Sequence, residues 1–194
     1  MSHGLTISGG QFKGHVIALP KTGLRPTQSR VREALFSILE HNFSLSSKSI
    51  DVAIDLCAGT GALGIEALSR SVPFLIAVEK NGRAVAQIKR NLEKLHIEKD
   101  RYRVIKAEGK KFCQKPVGVE GMEFGSLIIF CDPPYEHDIN EWLKAIEQSP
   151  LIQGRPSVVV LETQNAAGVE LPPGFAWVSQ KTYGDTSILI LKSL

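Results

Sequence analysis

Short apolar runs rich in β-branched and aromatic residues, bounded by turn residues, recur at residues 52–57, 74–78, 102–105, 127–131 and 158–161. Runs of this length that are apolar on successive positions predict strands covered on both faces. Between them lie stretches with helical spacing: 62–69, then 83–95 with apolar Val85, Ile88, Leu92 and Leu95, then 139–147 with Ile139, Leu143 and Ile146. Strand and helix in alternation predict a parallel sheet with helices on both faces. After Leu161 the rhythm changes, for 175–183 and 186–191 flank Gly184-Asp185, a pair suited to a tight turn, which predicts a closing antiparallel hairpin. Upstream, Pro26-Thr27 precedes a helical stripe of Val31, Leu35, Ile38 and Leu39, with Arg30 and Arg32 off that stripe. Gly9-Gly10, Gly14 and residues 20–23 punctuate what comes before, so residues 4–19 read as a small hairpin or arm. Internal repeats and low-complexity tracts are not evident.

A chain of 194 residues with 43% hydrophobic content has the size and apolar content of one domain. Residues 1–26 are expected to form a basic arm packed on the core, and residues 27–194 the main domain. Cys57, Cys113 and Cys131 are odd in number and lack the close Cys or His spacing of a zinc site, so no metal and no disulfide is expected. Neither a leader-like start nor an apolar stretch long enough for a bilayer is present, which predicts a cytoplasmic protein with no membrane association. The net charge of +3 is unevenly spread: residues 1–32 carry Lys13, Lys21, Arg25, Arg30 and Arg32 and no acid, while the remaining 18 Lys and Arg face 20 Asp and Glu. Positive charge gathered at one end suits a polyanion, whose condensed counterions are released on binding.

The first buried strand runs through Asp55 into Ala58-Gly59-Thr60-Gly61-Ala62-Leu63-Gly64, and a helix follows at once. Glycines there let backbone N–H groups approach a ligand closely. Glu79 ends the second strand, where a carboxylate can accept from both hydroxyls of a ribose. A nicotinamide dinucleotide uses the same glycine spacing to seat a pyrophosphate. Asp55, four residues before Gly59, would repel that group yet attract the α-ammonium of S-adenosylmethionine.

After the fourth strand comes Asp132-Pro133-Pro134-Tyr135. Ligands of an open α/β sheet sit beyond the carboxyl ends of its strands, so Asp132 and the glycine turn are expected to share one crevice. An amino group conjugated to a nucleobase is a poor nucleophile, because its lone pair is drawn into the ring. Acceptors beside its hydrogens help it turn tetrahedral and aim that lone pair at a sulfonium methyl. Asp132 and the Pro133 carbonyl suit this role, Pro133 and Pro134 stiffen the loop, and Tyr135 offers a face for a base taken out of its stack.

Together these residues resemble the class I methyltransferases, and more closely the bacterial small-subunit ribosomal RNA guanine-N2 methyltransferases. The resemblance rests on Ile7-Ser8-Gly9-Gly10 with Lys13-Gly14, on Leu24-Arg25-Pro26-Thr27, on residues 30–36, on Asp55 to Arg70 and on Asp132 to Tyr135. It implies a doubly wound, mostly parallel seven-stranded Rossmann-like sheet with a C-terminal antiparallel hairpin and a small N-terminal arm. It also implies methylation of a guanine N2 in 16S ribosomal RNA, within an assembled or assembling small subunit. The chain departs from the family pattern at Cys57 (commonly phenylalanine), Ser71 (usually glycine), Glu108 (often aspartate) and Gln28-Ser29 (more usually Thr-Asp).

The expected donor site is Asp55, Ala58, Gly59, Thr60, Gly61, Glu79 and Lys80, with Glu108 assigned by the resemblance to the adenine amino group. Asp132, Pro133, Pro134 and Tyr135 are expected to hold the target base. Lys13, Arg25, Arg30 and Arg32 are expected to grip phosphate, one of the arginines having the donor's carboxylate as an alternative partner. A DNA adenine-N6 methyltransferase would use the same tetrapeptide but needs sequence for target recognition that a chain of this length hardly offers. A nicotinamide oxidoreductase lacks an evident hydride-transfer acid here, and a non-catalytic RNA-binding module would not need both sites.

Overall fold

The computed structural model describes residues 4–19, 29–45, 49–134, 138–164 and 166–194. Its centre is a seven-stranded sheet of β3 (Val52–Asp55), β4 (Phe74–Glu79), β5 (Tyr102–Lys106), β6 (Leu127–Cys131), β7 (Ser157–Thr163), β8 (Phe175–Tyr183) and β9 (Thr186–Ser193). The strand order is β5-β4-β3-β6-β7-β9-β8, parallel from β5 to β7, with β9 antiparallel to both β7 and β8. This is the doubly wound, mostly parallel arrangement expected from the sequence, and its last two strands turn at Gly184-Asp185. No described helix is long and apolar enough to cross a membrane.

Among the described residues five helices cover the sheet: α1 (Ser29–Phe43), α2 (Ala62–Ser69), α3 (Gly82–Lys94), α4 (Gly109–Gln114) and α5 (Ile139–Glu147). Helices α1, α3 and α5 are explained by an apolar stripe, and α2 is buried on every side. Leu35 and Leu39 of α1, Ile65 and Leu68 of α2, and Ile88 and Leu92 of α3 close one core with Ala53 and Leu75 of the sheet. Phe112 of α4 and Trp142, Leu143 and Ile146 of α5 close the other, against Val52, Ile54, Ile76 and Val78. Alternate residues of β3 and β4 thus feed opposite layers, and each fully buried Leu, Ile or Phe stabilises the fold by roughly 1.5–3 kcal/mol. Helix α4 was not legible in the sequence, since six residues with a single apolar pair, Phe112-Cys113, are too few to display a period.

Residues 4–19 contain a two-stranded hairpin, β1 (Gly4–Thr6) against β2 (Val16–Ala18). Leu5, Ile7 and Ile17 enter the first core. Asn91 of α3 clasps β2, its Oδ1 accepting from Ala18 N and its Nδ2 donating to Ala18 O, both at 3.0 Å. The turn of the arm caps the end of α2, where Gln11 N donates to the Ser69 carbonyl at 2.8 Å and Phe12 N to Ser69 Oγ at 3.0 Å.

Candidate active site

The strand order reverses between β3 and β6, and the crevice of such a sheet opens beyond the carboxyl ends of the strands at that point. Asp55 is the last residue of β3 and pairs in register with Phe130, two residues before Asp132. The glycine turn leaves β3 tightly folded: Leu56 N donates to Phe130 O at 2.9 Å, Ala58 N to Val78 O at 3.0 Å and Gly61 N to Ala58 O at 2.6 Å. Gly61 has φ 79, a left-handed conformation that favours glycine. Gly64 lies so near the sheet that a Cβ on it would fall 2.5 Å from Leu75 Cδ1, so α2 seats directly on β4.

Two carboxylates hold this turn. Asp55 Oδ2 accepts from Gly64 N at 3.2 Å, and burial pushes its carboxyl up to about 7, against the pull of that hydrogen bond and helped by the nearby charge of Glu79. Glu79 accepts from Gly59 N through Oε2 at 2.8 Å and from Asn81 N through Oε1 at 2.7 Å, bridging the turn to the start of α3. Thr60 is buried and its Oγ1 accepts from Ala62 N at 3.2 Å. Lys80 is exposed on the rim, and Glu108, half-buried at the start of α4, pairs with Lys111 at 3.3 Å.

Asp132 follows β6, half-buried, with Pro133 buried and Pro134 exposed after it. Its carboxyl is raised well above the ordinary range, first by burial, then by Glu162 and by Asp55. Asp55 and Asp132 therefore stand within electrostatic reach of one another at a single rim. Glu162 was not foreseen. Register explains its position, because Cys131 pairs with Leu161 and the next residue of each parallel strand is an acid at the same edge. The sequence carried a signal for it in Leu161-Glu162-Thr163, a buried strand ending on a carboxylate.

Cys57, Cys113 and Cys131 gather beside these acids, and burial raises all three thiols, so none offers a ready thiolate. All three are free. Among the described residues no group of three or more His, Cys, Asp and Glu is arranged to hold a metal ion.

Of the expected phosphate-binding cations that the structure describes, Lys13 and Arg30 are exposed and Arg32 is not. Arg30 is exposed in the first turn of α1. Lys13 is exposed in the arm's turn, beside the end of α2, whose eight residues put it about 12 Å from the glycine turn along the helix. Arg32 is 1% exposed and cannot reach a phosphate: its Nη2 donates to Thr6 O, and its Nε lies 3.4 Å from Glu66 Oε2. The expectation that Arg32 lies off the buried stripe fails because Phe36, one turn on, also enters the core and widens the stripe to include it. Glu66, equally buried, accepts as well from Ser8 N at 2.9 Å and from Arg70 Nε at 3.1 Å. Arg25 and Tyr135 lie outside the described residues.

Among the described residues Asp55, Glu79 and Asp132 have no ion-pair partner. A rim of carboxylates without cationic partners among the described residues suits a cationic ligand and is hostile to a pyrophosphate.

Comparisons with known proteins agree with this fold. The family model described as Conserved hypothetical protein 95 matches residues 5–192. Ribosomal RNA small subunit methyltransferase D of Haemophilus influenzae is 27% identical over 192 residues, which cover 93% of this chain and 90% of the relative. A solved chain from Escherichia coli described as a methyltransferase, yhhF, superposes with TM-score 0.77 at 27% identity over 98% of both chains. The N-terminal domain of human METTL16 in complex with SAH shares the fold alone, with TM-score 0.64 and 16% identity over 88% of this chain and 72% of that one. The chain belongs to the Conserved hypothetical protein 95 family, that of ribosomal RNA small subunit methyltransferase D, within the class I methyltransferases.

Proposed function

We propose that this protein transfers a methyl group from S-adenosylmethionine to the exocyclic N2 of a guanine in 16S ribosomal RNA, within the assembling small subunit in the cytoplasm. The observation that carries the reading is the meeting of Asp55 and Asp132 at the ends of adjacent parallel strands, each buried enough to be raised and, among the described residues, neither paired with a cation. The donor carries a sulfonium and an ammonium, so an uncompensated carboxylate pocket fits it in sign. When bound it supplies an electrophilic methyl group, and its sulfur becomes a thioether as the new N–C bond forms.

The chain's own residues have the remaining work. Asp55, with one oxygen on Gly64 N, has the other for the donor's ammonium. Ala58 to Gly61 line the methionyl and ribose portion, and Glu79, with Lys80 beside it, faces the ribose hydroxyls. Glu108 is assigned to the adenine amino group. Asp132 and the Pro133 carbonyl accept from the two amino hydrogens of the base, which frees the nitrogen lone pair for in-line attack. The amino group sheds one proton, to Asp132 or through it to water. Pro134 fixes the loop and Tyr135 stacks on the base. Lys13, Arg25 and Arg30 contribute electrostatic grip on the RNA. Guanine N2, as against another base amine, rests on the family likeness together with the relatives' name, which specifies small-subunit RNA.

Labelled donor supplied with undermethylated small subunits, with free 16S RNA and with duplex DNA tests the reading. Label should enter the subunits or the free RNA as N2-methylguanosine in nuclease digests. Label confined to DNA adenine, or incorporated nowhere, overturns it. Asp132→Ala should lose turnover while donor affinity stays within a few-fold; lost donor affinity would move Asp132 from the base site to the donor site.

A further inference from the structure

The carboxyl ends of β4 and β5 lie side by side, with Glu79 in register with Lys106. Lys80, Arg83 and Lys106 are all exposed on this edge. The Lys106 Nζ stands 3.6 Å from the point where a Cβ on Gly82 would be, so its ammonium rests on the turn that carries Arg83. No acid answers these charges among the described residues. Glu79 is buried and occupied by Gly59 N and Asn81 N, and Asn81 Oδ1 accepts from Arg83 N and Ala84 N. Farther along the rim Glu108 is taken by Lys111 and Glu141 by Lys110. Like charges gathered without a counter-charge repel one another, and the cost is relieved when a polyanion crosses them.

Their distance from the base site is also telling. Counting strands 4.8 Å apart, β4 and β5 lie about 10 and 14 Å from β6, beyond whose end Asp132 stands. The backbone flanking a nucleotide held at Asp132 is therefore within reach of this edge.

We propose that Arg83 and Lys106, flanked by Lys80, form a ridge that grips the phosphate backbone of the ribosomal RNA adjoining the target nucleotide. The inference rests on the RNA reading given above, and it assigns the grip nearest the pocket to the β4–β5 edge of the sheet, beside the cations of the N-terminal segment.

The test uses the full-length protein, 16S RNA transcripts and undermethylated small subunits. Affinity is measured from 50 to 200 mM salt for wild type, Arg83→Ala/Lys106→Ala, and Lys192→Ala on β9, next to the opposite edge strand β8, with donor affinity measured in parallel. Each lost phosphate contact lowers the slope of log affinity against log salt by about 0.7–0.9, so the double variant should lose about 1.4–1.8 from its slope. Its deficit relative to wild type should then be about tenfold larger at 50 mM than at 200 mM salt. Unchanged donor affinity in the double variant certifies the fold and the pocket. An unchanged slope in the double variant overturns the ridge while leaving the RNA reading intact, and so does an equal loss in Lys192→Ala, which would mark a general charge effect. Wild type that binds neither RNA nor subunit overturns the RNA reading and the ridge with it.

Discussion

Ser71 closes α2 in a left-handed conformation, with φ 77, although it carries a side chain. The hydrogen bonds Ser71 N to Leu68 O at 3.3 Å and Val72 N to Ala67 O at 3.1 Å form the double closure in which the residue after the C-cap is usually glycine. The family likeness marks this position as a glycine site, and the backbone gives the reason. A non-glycine residue in this region costs roughly 1–2 kcal/mol, part of which glycine returns as unfolded-state entropy. Ser71→Gly should therefore raise the stability by about 1 kcal/mol and the melting temperature by about 2–4 °C. A lower midpoint in urea would mean that the serine makes a contact worth more than the strain. A second prediction at this scale concerns Asp132, which must be ionised to accept from the amino group. Its raised carboxyl implies that turnover climbs with pH as Asp132 loses its proton, and Glu162 is the largest charged contributor to that rise. Glu162→Gln should shift the rising limb of the kcat profile to lower pH, whereas an unmoved limb would detach it from Asp132.

At the scale of elements, α1, α2 and the arm are joined by one buried ionic cluster. Glu66 receives Arg32, Arg70 and Ser8, and Arg70 also lies over the Phe36 ring, 5.1 Å from its centroid. Removing one partner of a buried pair leaves a charge without compensation, at a cost of about 3–5 kcal/mol, lessened here because Arg70 remains. Arg32→Ala should thus lose roughly 3 kcal/mol in denaturation while leaving the salt slope of RNA binding unchanged at temperatures where the variant is folded. A flattened slope with little loss of stability would return Arg32 to the RNA footprint. This cluster also shows where sequence reading stops. Helices α2 and α5 were legible to the residue, and β6 likewise, because long apolar repeats between glycine and Asp-Pro punctuation leave little freedom of register. The glycine turn and Asp132 were legible since strand, turn and acid are contiguous in the chain. Arg32 with Glu66, and Asp132 with Glu162, were not, because each pair is made by packing between elements 34 and 30 residues apart, a distance across which no local period carries information.

For the whole molecule, the pocket's charge sets a conflict between folding and function. Asp55 ionises near its ordinary 3.8 when unfolded and at about 7 when folded, so the native state holds a proton there that the unfolded chain releases. Where the native state binds more protons than the unfolded one, stability falls as pH rises. The contribution of Asp55 is therefore most favourable below about 4, declines between about 4 and about 7, and is fully lost above that. Asp132 works in the same direction, and the donor, a cation, should offset the contribution of Asp55 by pairing with its ionised carboxylate. Asp55→Asn retains an oxygen for Gly64 N and has nothing to ionise. The variant should consequently be stabilised relative to wild type at pH 8, more so than at pH 5, while donor affinity falls at least tenfold, since a charge-assisted contact is worth roughly 1.5–3 kcal/mol. Saturating donor should also raise wild-type stability more at pH 8 than at pH 6, and calorimetry in buffers of different ionisation enthalpy should register proton release on donor binding at pH 6. Equal stability gaps between wild type and Asp55→Asn at both pH values would mean that Asp55 is already ionised in the folded protein, with a counter-charge supplied from elsewhere in the chain.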